Sequence, residues 1–453
     1  MVLGVRPAGA WATFLCTALF TSAACAADRL TLADAYRLAL EYVERVAIAD
    51  TEVARTRLGA YRALSTAAPS VNFTGTYTRE KEELEFTSVA PSQPLPGVAP
   101  GTNVILPGQV VRGGLRVDQT VLNLQLIPLW RAAQREIEAS KEARTLAVQE
   151  TAFAVAQAYH DVLRADAQGE VAEETVRLAA AEERRARVRY DVGELVKTDL
   201  LRASVALAQA RQLATAATNA KRLTRDVLSR LVGREVTEVI VPPSPSLPVA
   251  DIGAGVEMAL TRRPDLRQQE RLLAATKEER RRRQFALLPS VGAQWDYKNT
   301  SVETFAERNN FWTFVLGLRV PIIDRGGGAW VDLREQEYRL EVARLAYEGL
   351  RRDIRLEVQR AWLDADTLAA NLHPAEEETR LADETYMLVS KQYDAGAATS
   401  LEVATALTDR QRARARFINT QSDRDVAVLA VRRATGVLAS DVEGFVPAVE
   451  VTK

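Results

Sequence analysis

Two periodicities alternate along this 453-residue chain. Most of it places apolar residues every three to four positions, the spacing of a helix face, but four short stretches switch to strict alternation. In "NFWTFVLGLRVP", Trp312, Phe314, Leu316, Leu318 and Val320 face one way while Thr313, Gly317 and Arg319 face the other. In "LPSVGAQWDY", Val291, Ala293, Trp295 and Tyr297 share a face directly after a charged helix. The pattern predicts strands of about ten residues near 70–79, 109–118, 290–299 and 310–320, a length that suits a tilted crossing of a bilayer's hydrocarbon core. A half-buried sheet in a soluble protein would show the same alternation.

The helices are longer than a compact domain requires. From Pro128 to Arg189 there is no internal proline and only Gly169 as a breaker, so a continuous helix there runs ~93 Å at 1.5 Å per residue. The helix returning from it carries a heptad seam at Leu200, Ala203, Leu207, Ala210, Ala214 and Ala217, resuming at Leu228 and Leu231. A second seam runs through Ala206, Leu213, Ala220 and Val227, which implies neighbours on both sides. Further on, Ala406, Ala413, Ala427 and Ala434 keep the same spacing, interrupted by Thr420. Small residues at such positions suit a cylinder of closely packed helices. Pro374 falls inside the later long helix and is expected to kink or break it.

The two periodicities recur because the chain is a twofold repeat. Pro69, Ser70, Val71 and Tyr77 align without a gap on Pro289, Ser290, Val291 and Tyr297. "GGLRV" (113–117) then aligns on "LGLRV" (316–320), Tyr159 on Trp362, "YDVG" (190–193) on "YDAG" (393–396), and Gly233 on Gly436. The second set is spaced 17 residues closer, so the first copy holds that many extra residues between its strands, in the Pro/Gly-rich loop 80–108. The expected division is a signal at 1–26, a first repeat at 27–237, a Pro-rich linker at 238–249, a second repeat at 250–438 and a tail at 439–453.

Composition narrows the class. The chain has 59 Lys plus Arg against 60 Asp plus Glu, which points to no polyanionic partner. The first 27 residues have a basic start at Arg6, an apolar middle and small residues before Ala27, the form of an export signal cleaved after Ala26. Two other readings of this segment are an uncleaved anchor helix and a lipidated Cys25, although Ser22 stands where a lipoprotein signal normally has Leu. Cys16 and Cys25 both lie in it, so the mature chain is expected to have no thiol chemistry. The remainder has no apolar run of 18 residues. Four strands cannot close a barrel and open edges are not tolerated in lipid, so a membrane sheet of this kind needs several chains.

Each long helix ends in a turn that can be read residue by residue. In "YDVGELVKTDLL" and "YDAGAATSLEVA", Gly193 and Gly396 fit the left-handed position that closes a helix. Thr198 and Thr399 are expected to cap the next helix, and Thr399 with Glu402 has the spacing of a capping box.

The repeat, the "LGLRVPIIDRGG" and "LPSV" junctions and the doubled "YD-x-G" turns resemble the TolC family of outer-membrane efflux and secretion channels over about residues 28–438. The resemblance implies a mainly α fold with a small β part, in which long α-helical hairpins form a periplasmic α-barrel. It also implies a homotrimer whose chains each give four strands to a 12-stranded outer-membrane β-barrel. Its partners would be a periplasmic adaptor, an inner-membrane transporter and outer-membrane lipid. On this template Tyr190, Gly193, Thr198, Tyr393, Gly396 and Thr399 lie at the periplasmic tip, where the adaptor meets the channel, and the 80–108 loop is extracellular. Glu402 matches a pore-constriction carboxylate, Asp199 is its repeat partner, and Tyr393 matches a tyrosine that holds the tip closed. The next family carboxylate is Thr405 here and a basic position is Ala398, which leaves the closed-state lock without two of its members; Asp409 is a substitute for the first. Tyr77, Trp295, Tyr297, Trp312 and Phe314 are candidate aromatics for a lipid headgroup boundary.

Enzyme chemistry finds little support. His160 and His373 are the only histidines and are not repeat partners, no nucleophile elbow is present, and "DRGGGAW" (324–330) lacks the Lys and Ser/Thr of a phosphate loop. No cofactor, metal or nucleic-acid partner is expected. The arginine run 280–283 reads as a solvated face near the barrel's periplasmic rim. The alternative function is a soluble periplasmic coiled-coil adaptor or scaffold, though such proteins usually carry β-rich end domains and this chain places its strands in mid-repeat.

Overall fold

A computed structural model describes residues 29–82, 84–88, 101–106, 108–301, 309–322 and 325–445. The export signal and Cys25 lie outside the described residues. The chain runs α1 (Leu32–Tyr42), α2 (Glu44–Ser65), β1 (Ser70–Arg79), β2 (Leu84–Ser88), β3 (Gly101–Leu106), β4 (Gln109–Leu122), α3 (Leu126–Asp191) and α4 (Lys197–Val232). The second half runs α5 (Ile252–Arg262), α6 (Pro264–Phe285), β5 (Ser290–Thr300), β6 (Asn310–Arg319), α7 (Gly328–Asp394), α8 (Ser400–Ala434) and α9 (Val437–Val442).

The four main strands form one antiparallel sheet in the order β1-β4-β5-β6. Register decides what each face carries, since directly paired residues share a side. One face stacks the row Phe73, Leu115, Tyr297, Trp312 on the row Val71, Val117, Trp295, Phe314. The opposite face carries the rows Asn72, Arg116, Asp296, Thr313 and Thr74, Gly114, Lys298, Phe311. Phe73 (77% exposed), Trp312 (67%) and Leu318 (68%) are bare in the single chain, a density of exposed apolar side chains that water does not favour. The sheet is thus amphipathic across its thickness, with nothing of its own covering the apolar side.

Two expectations are corrected here. The 80–108 loop is not wholly irregular: β2 and β3 pair as a separate two-stranded hairpin. The alternation in "LEFTS" and "GTNVIL" is too short to stand out beside the Pro-rich segment between them. Pro374 does not break its helix, since α7 runs 67 residues through it. Proline forfeits one main-chain hydrogen bond there, while packing along α8 and α6 spans the helix.

Helix α3 is the spine. It packs on α2 and α6 toward the sheet and on α4 and α8 toward the far end, and α8 in turn packs on α7. In the far half the layer therefore reads α4-α3-α8-α7, with α4 and α7 at its edges. Of the heptad seams on α4, Leu207, Ala210 and Leu228 are buried, whereas Leu213 and Val227 of the second seam stay exposed beside Leu201, Val205 and Leu223. Helix α7 likewise exposes Leu356, Leu363, Leu381 and Leu388. Both edges of the helical layer are thus apolar and uncovered, like the outer edges of β1 and β6.

The main core lies where α1 and α9 wrap α3. The fully buried Tyr159 shares its single hydroxyl proton between the carbonyls of Leu30 (2.8 Å) and Ile240 (2.5 Å), and its oxygen accepts from the Ile240 N–H (3.0 Å). Leu30 also bridges to Val239, and Arg29 pairs with Glu238 at 3.1 Å. One phenol thereby fixes both the chain at Leu30 and the inter-repeat linker. The arginine run is less bare than a solvated face: Arg281, Arg282 and Arg283 pair with Glu278, Glu279 and Asp332 at 2.6, 2.9 and 3.3 Å.

Candidate functional site

The far end of the helical layer is built by two turns of the same design. In the first, the Gly193 N–H donates to Tyr190 O (3.0 Å) and the Glu194 N–H to Arg189 O (2.8 Å). In the second, Gly396 donates to Tyr393 O (3.1 Å) and Ala397 to Gln392 O (2.8 Å). Both are Schellman closures, which require a left-handed residue after the helix; Gly193 (φ 80°) and Gly396 (φ 75°) supply it.

The two returning helices start differently. Thr399 caps α8 as expected, its Oγ1 accepting from Glu402 N (3.3 Å) while the Glu402 carboxylate accepts from Thr399 N (2.6 Å) and Oγ1 (3.0 Å). Those hydrogen bonds hold the exposed Glu402 carboxyl below its ordinary range. Thr198 does not cap α4. That helix begins at Lys197 with Val196 in the cap position, so Thr198 is already inside the first turn. The Asp199 N–H instead reaches Val196 O at 3.0 Å, which closes the turn through the backbone.

The other carboxylates diverge in role. Asp199 Oδ1 accepts from the Ser400 hydroxyl (2.7 Å) and from Arg202 (3.0 Å), which ties the start of α4 to the start of α8. Asp409 is exposed and touches only Arg412, at 3.9 Å. Glu402, Asp199 and Asp409 are therefore not one cluster within the chain. Ala398 packs against the tip's apolar cluster, and the Thr405 hydroxyl donates back to Leu401 O.

The ties between the two hairpins join residues of the YDAG turn, Tyr393 among them, to arginines of α3 that the sequence reading did not single out. Tyr393 is buried, with Arg189 5.0 Å over its ring and Arg189 Nη1 donating to its carbonyl at 3.0 Å. Tyr190, its repeat partner, stays partly exposed. Arg185 grips both Asp394 oxygens at 3.0 and 3.1 Å and also Glu182, whose carboxyl is raised by burial more than these partners lower it. Tyr386 donates to Glu182 at 3.1 Å. One available signal was the loss of repeat symmetry: Arg185 and Arg189 align on Leu388 and Gln392, so the charge exists in one copy only.

About two turns of α8 farther in, Arg410 is buried between Glu174 on α3 (2.7 Å) and Asp383 on α7 (2.6 Å), and Arg414 bonds the same two carboxylates. Burial alone would raise both carboxyls, but the two guanidiniums outweigh it and hold them low. Outside this clasp, a groove of about 600 Å³ between the ends of α3 and α7 is lined by Arg184, Arg185, Val188, Arg189, Glu194 and Asp394.

The Tyr393 hydroxyl has no hydrogen-bond partner. Tyr393→Phe is therefore expected to leave melting unchanged within about 0.5 kcal/mol, while Arg189→Ala, which loses a charged donor and a cation over a ring, costs about 1–3 kcal/mol. Thermal unfolding of both variants checks this; a larger loss from Tyr393→Phe would show that the hydroxyl, and not the ring, holds the tip.

At the other end, Trp295 and Tyr297 stack with ring centroids 6.4 Å apart, opposite Phe314 and Trp312. Tyr77 pairs with Val111 nearer the strand ends that carry the loops. These aromatics gather toward the loop-bearing end of the sheet, several rows away from the helix-to-strand junction at Pro289. Among the described residues no helix is long and apolar enough to cross a membrane, and no group of three or more His, Cys, Asp or Glu could hold a metal ion.

Known proteins share this arrangement. The family model described as outer membrane efflux protein matches residues 255–437. The outer membrane efflux protein BepC of Brucella suis is 24% identical over 357 residues, covering 77% of this chain and 76% of its own. The CmeC outer membrane channel of Campylobacter jejuni superposes with a TM-score of 0.76 at 15% identity, over 93% of this chain and 90% of that one. The outer membrane protein VceC of Vibrio cholerae gives 0.74 at 18% identity, over 89% and 96%. The second repeat thus matches the outer membrane efflux protein family, and the doubled helix-strand-strand-helix repeat, the amphipathic sheet and the paired glycine turns give the chain the fold of the TolC-type outer membrane channels.

Proposed function

We propose that the protein is a trimeric outer-membrane duct that passively conducts solutes from a periplasmic adaptor and an inner-membrane transporter to the exterior. One observation carries it: a four-stranded sheet with one apolar face and two unpaired edges continues into helices of 66 and 67 residues, roughly 100 Å long. No such sheet can stand alone in lipid, because its edge strands would leave backbone groups unsatisfied. Three copies, joined β6 to β1 and α7 to α4, supply twelve strands, cover the exposed leucines of α4 and α7, and turn the polar face of the sheet inward. The named relatives are an outer membrane efflux protein and outer membrane channels, which accords with a polar sheet face turned inward.

The tip groove between α3 and α7 is the adaptor's contact, with Tyr190, Gly193, Gly396 and the arginines of α3 presented to it. Size-exclusion chromatography with light scattering in mild detergent should give three chains per particle, and the particle should conduct in a planar bilayer. A monomer without conductance, or recovery of the protein in the soluble periplasm after lysis, would overturn the reading.

Glu402 retains a part in ion preference, since three copies around the axis make an anionic ring at the tip. Glutamine also serves at the third position of a capping box, so Glu402→Gln removes charge while keeping the cap. Single-channel reversal potentials should then show a weaker cation preference; unchanged selectivity would leave Glu402 as a cap alone.

A further inference from the structure

One carboxylate of the tip is buried where a charge is costly. Glu182 on α3 is 8% exposed and adjoins an apolar cluster drawn from all four long helices, with Ala179 of α3, Leu207 of α4, Tyr386 of α7 and Leu407 of α8. Its two oxygens differ. Oε1 accepts from Tyr386 at 3.1 Å and from Arg185, whereas Oε2 has no partner, and neither has the hydroxyl of Tyr393, which is 4% exposed. Glu182 and Tyr393 both line a hollow of about 20 Å³, room for a single water, walled mainly by Ala179, Ala203, Val403 and Leu407. The aligned position in the second copy is Thr385, so the chain carries this carboxylate once.

Charged and titratable groups reach it from each packed helix. On α3, Arg185 divides its guanidinium among Glu182, Ser390 and both Asp394 oxygens, and Arg189 lies over the Tyr393 ring. Helix α7 brings Tyr386, Tyr393 and Asp394, and α4 brings Asp199, whose charge is felt at Tyr393. From α8 comes Arg410, 5.5 Å over the Tyr386 ring and held by Glu174 and Asp383. Burial outweighs the pull of Arg185 and Tyr386, so the Glu182 carboxyl titrates above its ordinary value. Burial, and then the Glu182 charge, push the Tyr386 phenol up to about 12, which keeps it a donor.

These facts fix the direction of a response. A carboxyl that titrates higher inside the clasp than in water stabilises the clasp fully below its ordinary value, and that contribution is lost as pH rises through the raised one. Parting α7 from α3 would take away Tyr386 and open Glu182 to water. When protonated, Glu182 keeps both bonds at Oε1 and gains a donor at Oε2 for the Tyr393 hydroxyl or one water in the hollow. We infer that Glu182 is a proton-operated latch, which locks α7 to α3 at the tip when neutral and loosens them when ionised, so that the duct narrows as its surroundings turn acid. The latch regulates the tip of the duct proposed above, and its effect on flow rests on that reading.

The test uses the full-length protein in detergent and in planar bilayers, with spin labels at Val192→Cys and Ala397→Cys, two exposed positions in the two turns. From pH 8 to pH 5 the wild-type label separation should narrow, and single-channel conductance should fall by about threefold or more. Glu182→Gln keeps the acceptor and removes the charge, so it should hold the narrow separation and the low conductance at both pH values. Tyr386→Phe deletes a donor that lowers the Glu182 titration, so its transition should move to higher pH, a shift that a merely structural role would not produce. A wild-type separation that ignores pH, or one that responds alike in a Glu182→Gln protein of normal melting temperature, overturns the latch. Labels that close in acid on a particle that never conducts support the latch and overturn the duct.

Discussion

Gly436→Ala is expected to cost about 3 kcal/mol or more and to cut the yield of assembled protein sharply. Gly436 has φ 77°, a left-handed conformation that costs an L-residue about 1–2 kcal/mol. The added Cβ would also stand 3.0–3.2 Å from the Arg262 and Arg263 backbone, where neither neighbour can rotate away, and overpacking of that kind costs about 1–3 kcal/mol more. The repeat builds the same contact twice: at Gly233 (φ 78°) a Cβ would fall 2.4 Å from the ring of Tyr42, the residue aligned with Arg262. Gly193 and Gly396 are the controls, since they are equally left-handed but have nothing within 4 Å. Melting of the four alanine variants should separate into two mild and two severe cases, with Tyr42→Ala restoring part of the loss in Gly233→Ala alone. Four equal losses would mean that backbone conformation, and not close approach, sets the cost.

The second large effect is Arg410→Met. Removing a buried guanidinium from between Glu174 and Asp383 leaves two partly desolvated carboxylates sharing only Arg414, and breaking such a pair from one side costs about 3–5 kcal/mol. Adding Glu174→Gln and Asp383→Asn should recover much of it, because the cost lies in the uncompensated charge. The clasp has a predictable pH response. Both carboxyls lie below their ordinary values in the folded chain, so their contribution is complete only above about pH 5–6, clear of the unfolded values, and is lost as pH falls through the lowered folded values. Melting temperatures of wild type and Arg410→Met should therefore converge only in strong acid; convergence already at pH 6 would refute the clasp.

What the sequence discloses follows the range of the interaction involved. The strands could be read from two-residue alternation, because a half-solvated sheet writes its faces directly into the chain, and β4 merely extends four residues beyond its expected end at 118. The glycine turns and the Thr399–Glu402 box could be read because capping acts over three or four residues. The cap on α4 could not: threonine is a good cap in general, but Val196 takes the position and the backbone closes the turn. The ties of Arg185 to Asp394, Arg189 to Tyr393 and Arg410 to Glu174 join residues some 200 positions apart, with no local signature. Pro374 misled in the opposite direction, since a local rule was outweighed by packing along the whole length of α7.

The Tyr159 anchor bears on how the chain is matured. It pins Leu30 some 33 positions below the start of α3, about 50 Å along that helix from the sheet. The cut expected after Ala26 would leave three residues ahead of Leu30, so the mature amino terminus would begin close in sequence to this anchor. Intact-mass measurement of the exported protein should read an unmodified amino terminus at Ala27.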